Sequence, residues 1–187
     1  GHVERFTAAY LEIGSAAWGG GVEISGAAAT RKGQPDLVAR IELNRCAAHV
    51  ASLDFDPCTG FEALRSDAAA PERAYADYLA GQPVDAAQAA LLPEHHRAVA
   101  TGTAGAALPP DDDPFGRLIA AAVLMRRSQA TPEVVAQAVD TASEQGWRRP
   151  LLAWLGVQAR LAEARGDAPE AARIKRRMDL VQPAAGR

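Results

Sequence analysis

The amino-acid sequence predicts an all-α protein, and three observations support this fold class. Hydrophobic residues make up 48% of the 187 residues but aromatic residues only 5%, so Ala, Leu, Val and Ile must build most of the core. Ala has the highest helix propensity, and its small side chain allows close helix packing. Apolar residues recur at three- and four-residue spacing, and proline or glycine separates the apolar stretches. This pattern is typical of amphipathic helices and their boundaries.

Residues 1–100 contain short apolar stretches that predict helical hairpins. Phe6, Tyr10 and Ile13 recur at helical spacing, and three consecutive glycines then end the first stretch, since glycine carries a large entropic cost inside a helix. Pro57 follows an Asp-Phe-Asp sequence, which predicts a turn because the residue before proline avoids the helical region. The predicted helices span, in order, 6–18, 22–32, 36–53, 58–64, 71–79, 84–92 and 93–100.

Residues 101–113 are rich in Gly, Ala, Thr, Pro and Asp, a composition typical of loops and linkers. They divide the chain into an N-terminal region, 1–100, and a C-terminal region, 114–187. Asp113 and Thr131 each precede a proline. A capping side chain followed by proline at the first helical position predicts the start of a helix.

The C-terminal region is predicted to contain four helices in two hairpins. Gly146 is expected to end the second helix, while Pro150 opens the third and Ala168-Pro169 opens the fourth. The last two helices meet at the sequence Ala164-Arg165-Gly166-Asp167. This break predicts a tight turn between two antiparallel helices.

This last hairpin resembles a tetratricopeptide-repeat unit, a helical hairpin of about 34 residues with small and large apolar residues at fixed offsets. The residues at these offsets are Leu155, Ala159, Ala162, Gly166, Ala171 and Pro183. Lys175 and Met178 replace residues that are aromatic and Ala in the family. The first hairpin is similar at Tyr10, Ile13, Gly14 and Gly21, with Gly26 in place of the usual Ala. The resemblance implies a tetratricopeptide-like array of stacked antiparallel hairpins, whose concave surface binds a protein or peptide and which has no catalytic residues.

The charge is small overall but unevenly distributed. Residues 1–113 contain 8 Lys/Arg and 16 Asp/Glu, giving −8, and residues 114–187 contain 12 and 7, giving +5, for a total of −3. The two regions are therefore expected to present surfaces of opposite sign. An alternative hypothesis is a regulatory module that binds nucleic acid through the basic last helix. The total charge and the lack of aromatic residues near that helix disfavour it.

Tryptophan and arginine side chains near the C-terminus are the candidate partner-binding residues. The two tryptophans lie seven residues apart and are candidate anchors, and the arginines would contact acidic groups. The candidates are Trp147, Arg148, Arg149, Trp154, Arg173, Arg176 and Arg177.

The two cysteines, Cys46 and Cys58, flank the turn predicted at Asp54 to Pro57. A sharp reversal of the chain there would bring them within disulfide distance, and an oxidising compartment would then favour the bridge. A metal-binding protein or enzyme using Cys46, His49 and His95 is an alternative. The paired Cys or His spacings that are typical of zinc sites are absent from the sequence.

The sequence favours a non-enzymatic scaffold or accessory factor without a cofactor. It contains no Gly-x-Ser-x-Gly turn and no phosphate-binding glycine loop after a strand. No apolar run approaches the ~20 residues that span a bilayer. Gly1-His2 stands in place of an initiating Met, which either a removed signal peptide or lipid-anchored leader or a sequence shortened for crystallisation would explain. From the composition and this start together, we expect an exported bacterial protein that serves an envelope assembly. Such a protein would lie in the periplasm or be attached to the outer membrane by an upstream lipid anchor. If it is not exported, it would be cytoplasmic.

Overall fold

A computed structural model describes residues 33–182 of the chain. Within that range it contains nine α-helices and no β-strand, which confirms the all-α fold class. The helices are α1 Pro35–Ala51, α2 Thr59–Glu62, α3 Ala70–Leu79, α4 Ala86–Ala89, α5 Arg97–Ala100, α6 Pro114–Arg126, α7 Pro132–Gln145, α8 Arg148–Ala164 and α9 Ala168–Val181. The hairpin predicted over 6–32, with its repeat-like residues, lies outside the described residues, as does Pro183. None of the described helices has the length and apolar character needed to cross a membrane.

Helices α6 and α7 begin where the sequence places their caps, whereas α8 begins at Arg148, before the predicted Pro150, and has no side-chain cap. The side chain of Asp113 accepts a hydrogen bond from the Gly116 amide, and Thr131 accepts one from the Val134 amide. Asp167 caps α9 in the same way. Each of these bonds satisfies an amide that the first turn of a helix leaves without a partner. Gly146 ends α7 with φ at 68°, a left-handed conformation that glycine adopts without steric cost.

Helix α6 lies at the centre of the packing. It contacts α7, which contacts α8, which contacts α9, so the four C-terminal helices pack in sequence order. On its other sides α6 contacts α1, α3 and α5, and its residues from Leu118 to Val123 are almost completely buried. The N-terminal and C-terminal regions therefore share one hydrophobic core within the described residues.

Trp154 joins the two regions through the core. Its side chain is fully buried, and its indole Nε1 donates a hydrogen bond to the Ala51 carbonyl oxygen over 3.1 Å. The prediction that Trp154 anchors a partner at the surface is therefore wrong. The seven-residue spacing of Trp147 and Trp154 is compatible with a shared helix face, but the Trp154 side chain of α8 packs toward α1 and not toward solvent.

Residues 52–113 contain shorter helices than the sequence predicts. The helix expected over 58–64 is only α2, and the helix expected over 84–92 is only α4. The one expected over 93–100 is a 3₁₀ turn, Glu94–His96, followed by α5. Helices this short have too few internal hydrogen bonds to be stable alone, so packing and side-chain contacts must hold this segment in place.

Candidate peptide-binding groove

A groove of about 760 Å³ lies between the loop that precedes α6 and the hairpin of α6 and α7. Residues 102–108 of the loop form one wall, and Leu124 of α6 with Val134 and Gln137 of α7 form the other. Clefts of several hundred Å³ are the usual size of ligand sites in proteins. We refer to this cleft as the α6–α7 groove.

The loop wall presents backbone groups rather than large side chains. Gly102 and Gly105 adopt positive φ angles of 76° and 68°, which the absence of a Cβ atom permits. Among the residues that the structure describes, the amides of Ala104, Gly105, Ala107 and Leu108 donate no hydrogen bond to protein. These four residues line the groove, so their amides are candidate donors to a ligand bound there.

The C-terminal end of the loop is fixed by Arg117. Its guanidinium donates hydrogen bonds to the Pro109 carbonyl oxygen over 2.7 Å and to Thr141 Oγ1 over 3.3 Å. It also lies 3.4 Å from a carboxylate oxygen of Asp111. Only 14% of the Arg117 side chain is exposed, so these contacts fix the loop to α6 and α7.

Arg127 fixes the N-terminal end of the loop. Its Nη1 donates to the carbonyl oxygens of Val99 and Ala100 over 2.9 and 3.0 Å. Its Nη2 and Nε donate to the carbonyl oxygens of Gln82 and Gly81 over 2.7 and 3.3 Å. With both ends fixed by arginines, the loop is held in position before any ligand binds.

Apolar and polar residues occupy different parts of the groove. Leu124 is buried and Leu108 and Val134 are half-buried, so they provide an apolar floor. Glu133 and Gln137 are exposed and line the mouth. This arrangement suits a ligand with one apolar side chain and several backbone-like polar groups. The sequence predicted the loop but not the groove, although the small residues between Thr101 and Ala107 were the signal that backbone is accessible there.

The two cysteines lie at disulfide distance, with their Cα atoms 5.6 Å apart. Their pair borders a separate cavity of about 320 Å³ that His49 also lines. His49 Nδ1 lies 2.7 Å from a carboxylate oxygen of Asp54. His95 does not line this cavity, so the structure does not bring Cys46, His49 and His95 together as a metal-ligand set.

His95 and His96 lie instead beside the start of α6. His95 Nε2 is 2.7 Å from Asp113 Oδ2, and His96 Nδ1 is 2.8 Å from the Tyr78 hydroxyl oxygen. His96 and Tyr78 are buried, and burial, with a smaller contribution from His95, lowers the pKa of His96 to about 4. His96 is therefore neutral near pH 7, with its Nδ1 in contact with Tyr78.

The basic candidates near the C-terminus are partly engaged within the protein. Arg173 pairs with Glu170, and Arg177 donates a hydrogen bond to Ser143 Oγ over 3.0 Å. Trp147, Arg148 and Arg149 are half-buried, and Trp147 packs against the core. Arg176 is exposed. Partner contact by Trp147 and these arginines therefore stays a prediction. The arginines have less charge available to a partner than the sequence suggested.

No protein-family model, curated protein or solved structure matches this chain. The resemblance to tetratricopeptide repeats therefore stays a prediction from the residues alone. Function has to be inferred from the geometry of the groove and of the side-chain clusters.

Proposed function

We propose that this protein is a non-enzymatic scaffold that binds an extended peptide segment of another protein in the α6–α7 groove. The observation that carries the proposal is that four residues of the groove lining, Ala104, Gly105, Ala107 and Leu108, have amides that donate to no acceptor in the described part of the protein, and that apolar side chains line the same groove. An extended peptide offers a carbonyl oxygen at every residue. Pairing with a fixed backbone supplies affinity, and a pocket for alternate side chains supplies specificity.

The way the loop is held favours binding. Arg117 and Arg127 fix its two ends through hydrogen bonds to main-chain carbonyl oxygens. A wall that is already ordered loses little conformational entropy when the ligand binds, so more of the interaction energy appears as affinity. Leu124 and Val134 would then bury one aliphatic side chain of the peptide, and Gln137 would contact its polar neighbours.

The finer architecture and location are part of the same proposal. The packing of α6, α7, α8 and α9 in sequence order supports a tetratricopeptide-like array of hairpins. The Cys46 and Cys58 pair at disulfide distance supports a bacterial protein exported to an oxidising compartment, since disulfides persist there. A scaffold that serves an envelope assembly, in the periplasm or at the outer membrane, would meet both conditions.

The proposal can be tested with a random peptide library displayed on phage. We would select on the wild-type protein and measure enriched synthetic peptides against two variants of α7, Gln137→Arg and Gln145→Arg. Both side chains are exposed, but only Gln137 lines the α6–α7 groove. We expect a consensus with one aliphatic position, and a loss of affinity of about tenfold or more in Gln137→Arg alone, because its side chain obstructs the groove.

Three results would contradict the proposal. One is the absence of any peptide enriched above a blank surface. Another is equal affinity of the enriched peptides for Gln137→Arg and the wild type, which would place their site elsewhere. Equal losses in both variants would also count against the groove, because Gln145 does not line it.

A further inference from the structure

We propose that His95, His96 and Asp113 form a zinc-binding site with three protein ligands. One potential ligand atom from each of these residues lies within 4.8 Å of the others. In the part of the chain that the structure describes, no other group of three or more His, Cys, Asp or Glu residues meets this spacing. The site is separate from the α6–α7 groove, whose lining includes none of the three residues.

The ligand types select the metal. Two imidazoles and one carboxylate are a common set for Zn²⁺ sites that keep a fourth position for water. Ca²⁺ and Mg²⁺ prefer oxygen ligands, so they are poor candidates for a site with two imidazoles. The alternative metal site that uses Cys46 and His49 is less suitable, because the Cys46 sulfur lies at disulfide distance from that of Cys58 and a disulfide sulfur is not a thiolate ligand.

Modest side-chain movement would complete the site. Zinc bonds of about 2.0–2.2 Å in a tetrahedron place ligand atoms roughly 3.4 Å apart. His95 Nε2 and Asp113 Oδ2 are 2.7 Å apart, so these two atoms would separate slightly when an ion binds between them. The ligand atoms that lie up to 4.8 Å apart would move closer together. Since 38% of the His95 side chain is exposed, its ring is free to make this adjustment.

The fold already holds the other two ligands by atoms that the metal does not need. Asp113 Oδ1 accepts the Gly116 amide at the start of α6, which leaves Oδ2 for the ion. The Tyr78 hydroxyl contacts His96 Nδ1 over 2.8 Å, and we therefore assign Nε2, the other ring nitrogen, as the ligand atom of His96. Metal-binding histidines are usually oriented through their second ring nitrogen in this way.

The exposure of the three residues gives the direction of access. His96 is 3% exposed, whereas the side chains of His95 and Asp113 are 38% and 36% exposed. An ion would therefore enter from the His95 side and contact the buried imidazole last. Water on that side would complete the coordination of the metal.

The experiment uses the whole chain, without a polyhistidine tag and treated with a chelator. We would titrate it with zinc chloride by calorimetry and with cobalt chloride by visible absorption. The variants are His95→Ala, Asp113→Asn and Tyr78→Phe, and the control is His49→Ala. Asn also caps helices, so Asp113→Asn removes the charge but keeps the start of α6. His49 has the same 2.7 Å contact with a carboxylate, but among the described residues it belongs to no group of three potential metal ligands.

We expect one zinc ion to bind the wild type and His49→Ala with equal affinity, and cobalt to give the intense bands of four-coordinate metal. His95→Ala, Asp113→Asn and Tyr78→Phe should each weaken zinc binding by about tenfold or more. Circular dichroism would show that each variant is folded. The proposal is overturned if the wild type binds no stoichiometric zinc, if Asp113→Asn binds as tightly as the wild type, or if His49→Ala loses as much affinity as His95→Ala.

Discussion

Residues 114–181 and residues 52–113 are both helical, but different interactions hold them. The first region contains four helices of at least 13 residues, and side-chain caps start three of them. In the second region only α3 exceeds four residues. Local signals are enough to define a long capped helix, whereas short helices must be held by contacts from distant parts of the chain.

The second region is fixed by side chains that bond across it. Arg127, which directly follows α6, donates to four carbonyl oxygens in residues 81–100. The Tyr78 hydroxyl contacts His96, and Cys58 lies at disulfide distance from Cys46 of α1. The comparison predicts that these contacts contribute more to stability than any single helix cap.

Substitution of Arg127 should give the largest loss. Arg127→Met keeps an aliphatic chain but leaves four carbonyl oxygens without their donor, and hydrogen bonds to charged groups contribute about 1.5–3 kcal/mol each. Because some of these carbonyls regain water, we expect the free energy of unfolding to fall by about 4 kcal/mol, measured by urea denaturation. Arg126→Met is the matched control, since Arg126 donates to one carbonyl, that of Leu79. Equal losses of unfolding free energy in the two variants would show that the hydrogen bonds from Arg127 to the carbonyl oxygens do not cause the loss of stability.

Removal of the cysteine pair should have the next largest effect. A bridge between Cys46 and Cys58 closes a loop with a sequence separation of 12. The restriction of the unfolded chain by such a loop stabilises the fold by about 3 kcal/mol. We expect the Cys46→Ala, Cys58→Ala double variant to lose about that much and to become insensitive to dithiothreitol. If reductant leaves the unfolding of the oxidised wild type unchanged, the bridge does not stabilise this region.

A cap in the first region should have the smallest effect. Thr131→Ala removes the acceptor of the Val134 amide, and loss of a cap costs about 1 kcal/mol. Thr131→Ser keeps a hydroxyl acceptor, so it should stay within a few tenths of a kcal/mol of the wild type. Hydrogen exchange should show faster exchange confined to the first turn of α7 in the alanine variant. A loss as large as that of Arg127→Met would contradict the contrast between the two regions.

The starts of the long helices could be predicted because their signals are local. Asp113 before Pro114 and Thr131 before Pro132 act within a single turn of chain, and Gly146 acts through its own φ angle. The disulfide distance of Cys46 and Cys58 follows from a turn between them. Helix lengths in residues 84–100 could not be predicted, because Arg127, which is distant in the chain, donates hydrogen bonds to carbonyl oxygens of that segment.

The sequence by itself determined the all-α class and the caps of α6 and α7, since propensity, proline and capping side chains act over a few residues. Tertiary structure decided that Trp154 is buried against α1 rather than exposed. It also brought His95 and His96 to Asp113 and opened the α6–α7 groove beside the loop. These features depend on which helix faces meet, and pairs of residues far apart in the chain are brought together only when the shared core forms.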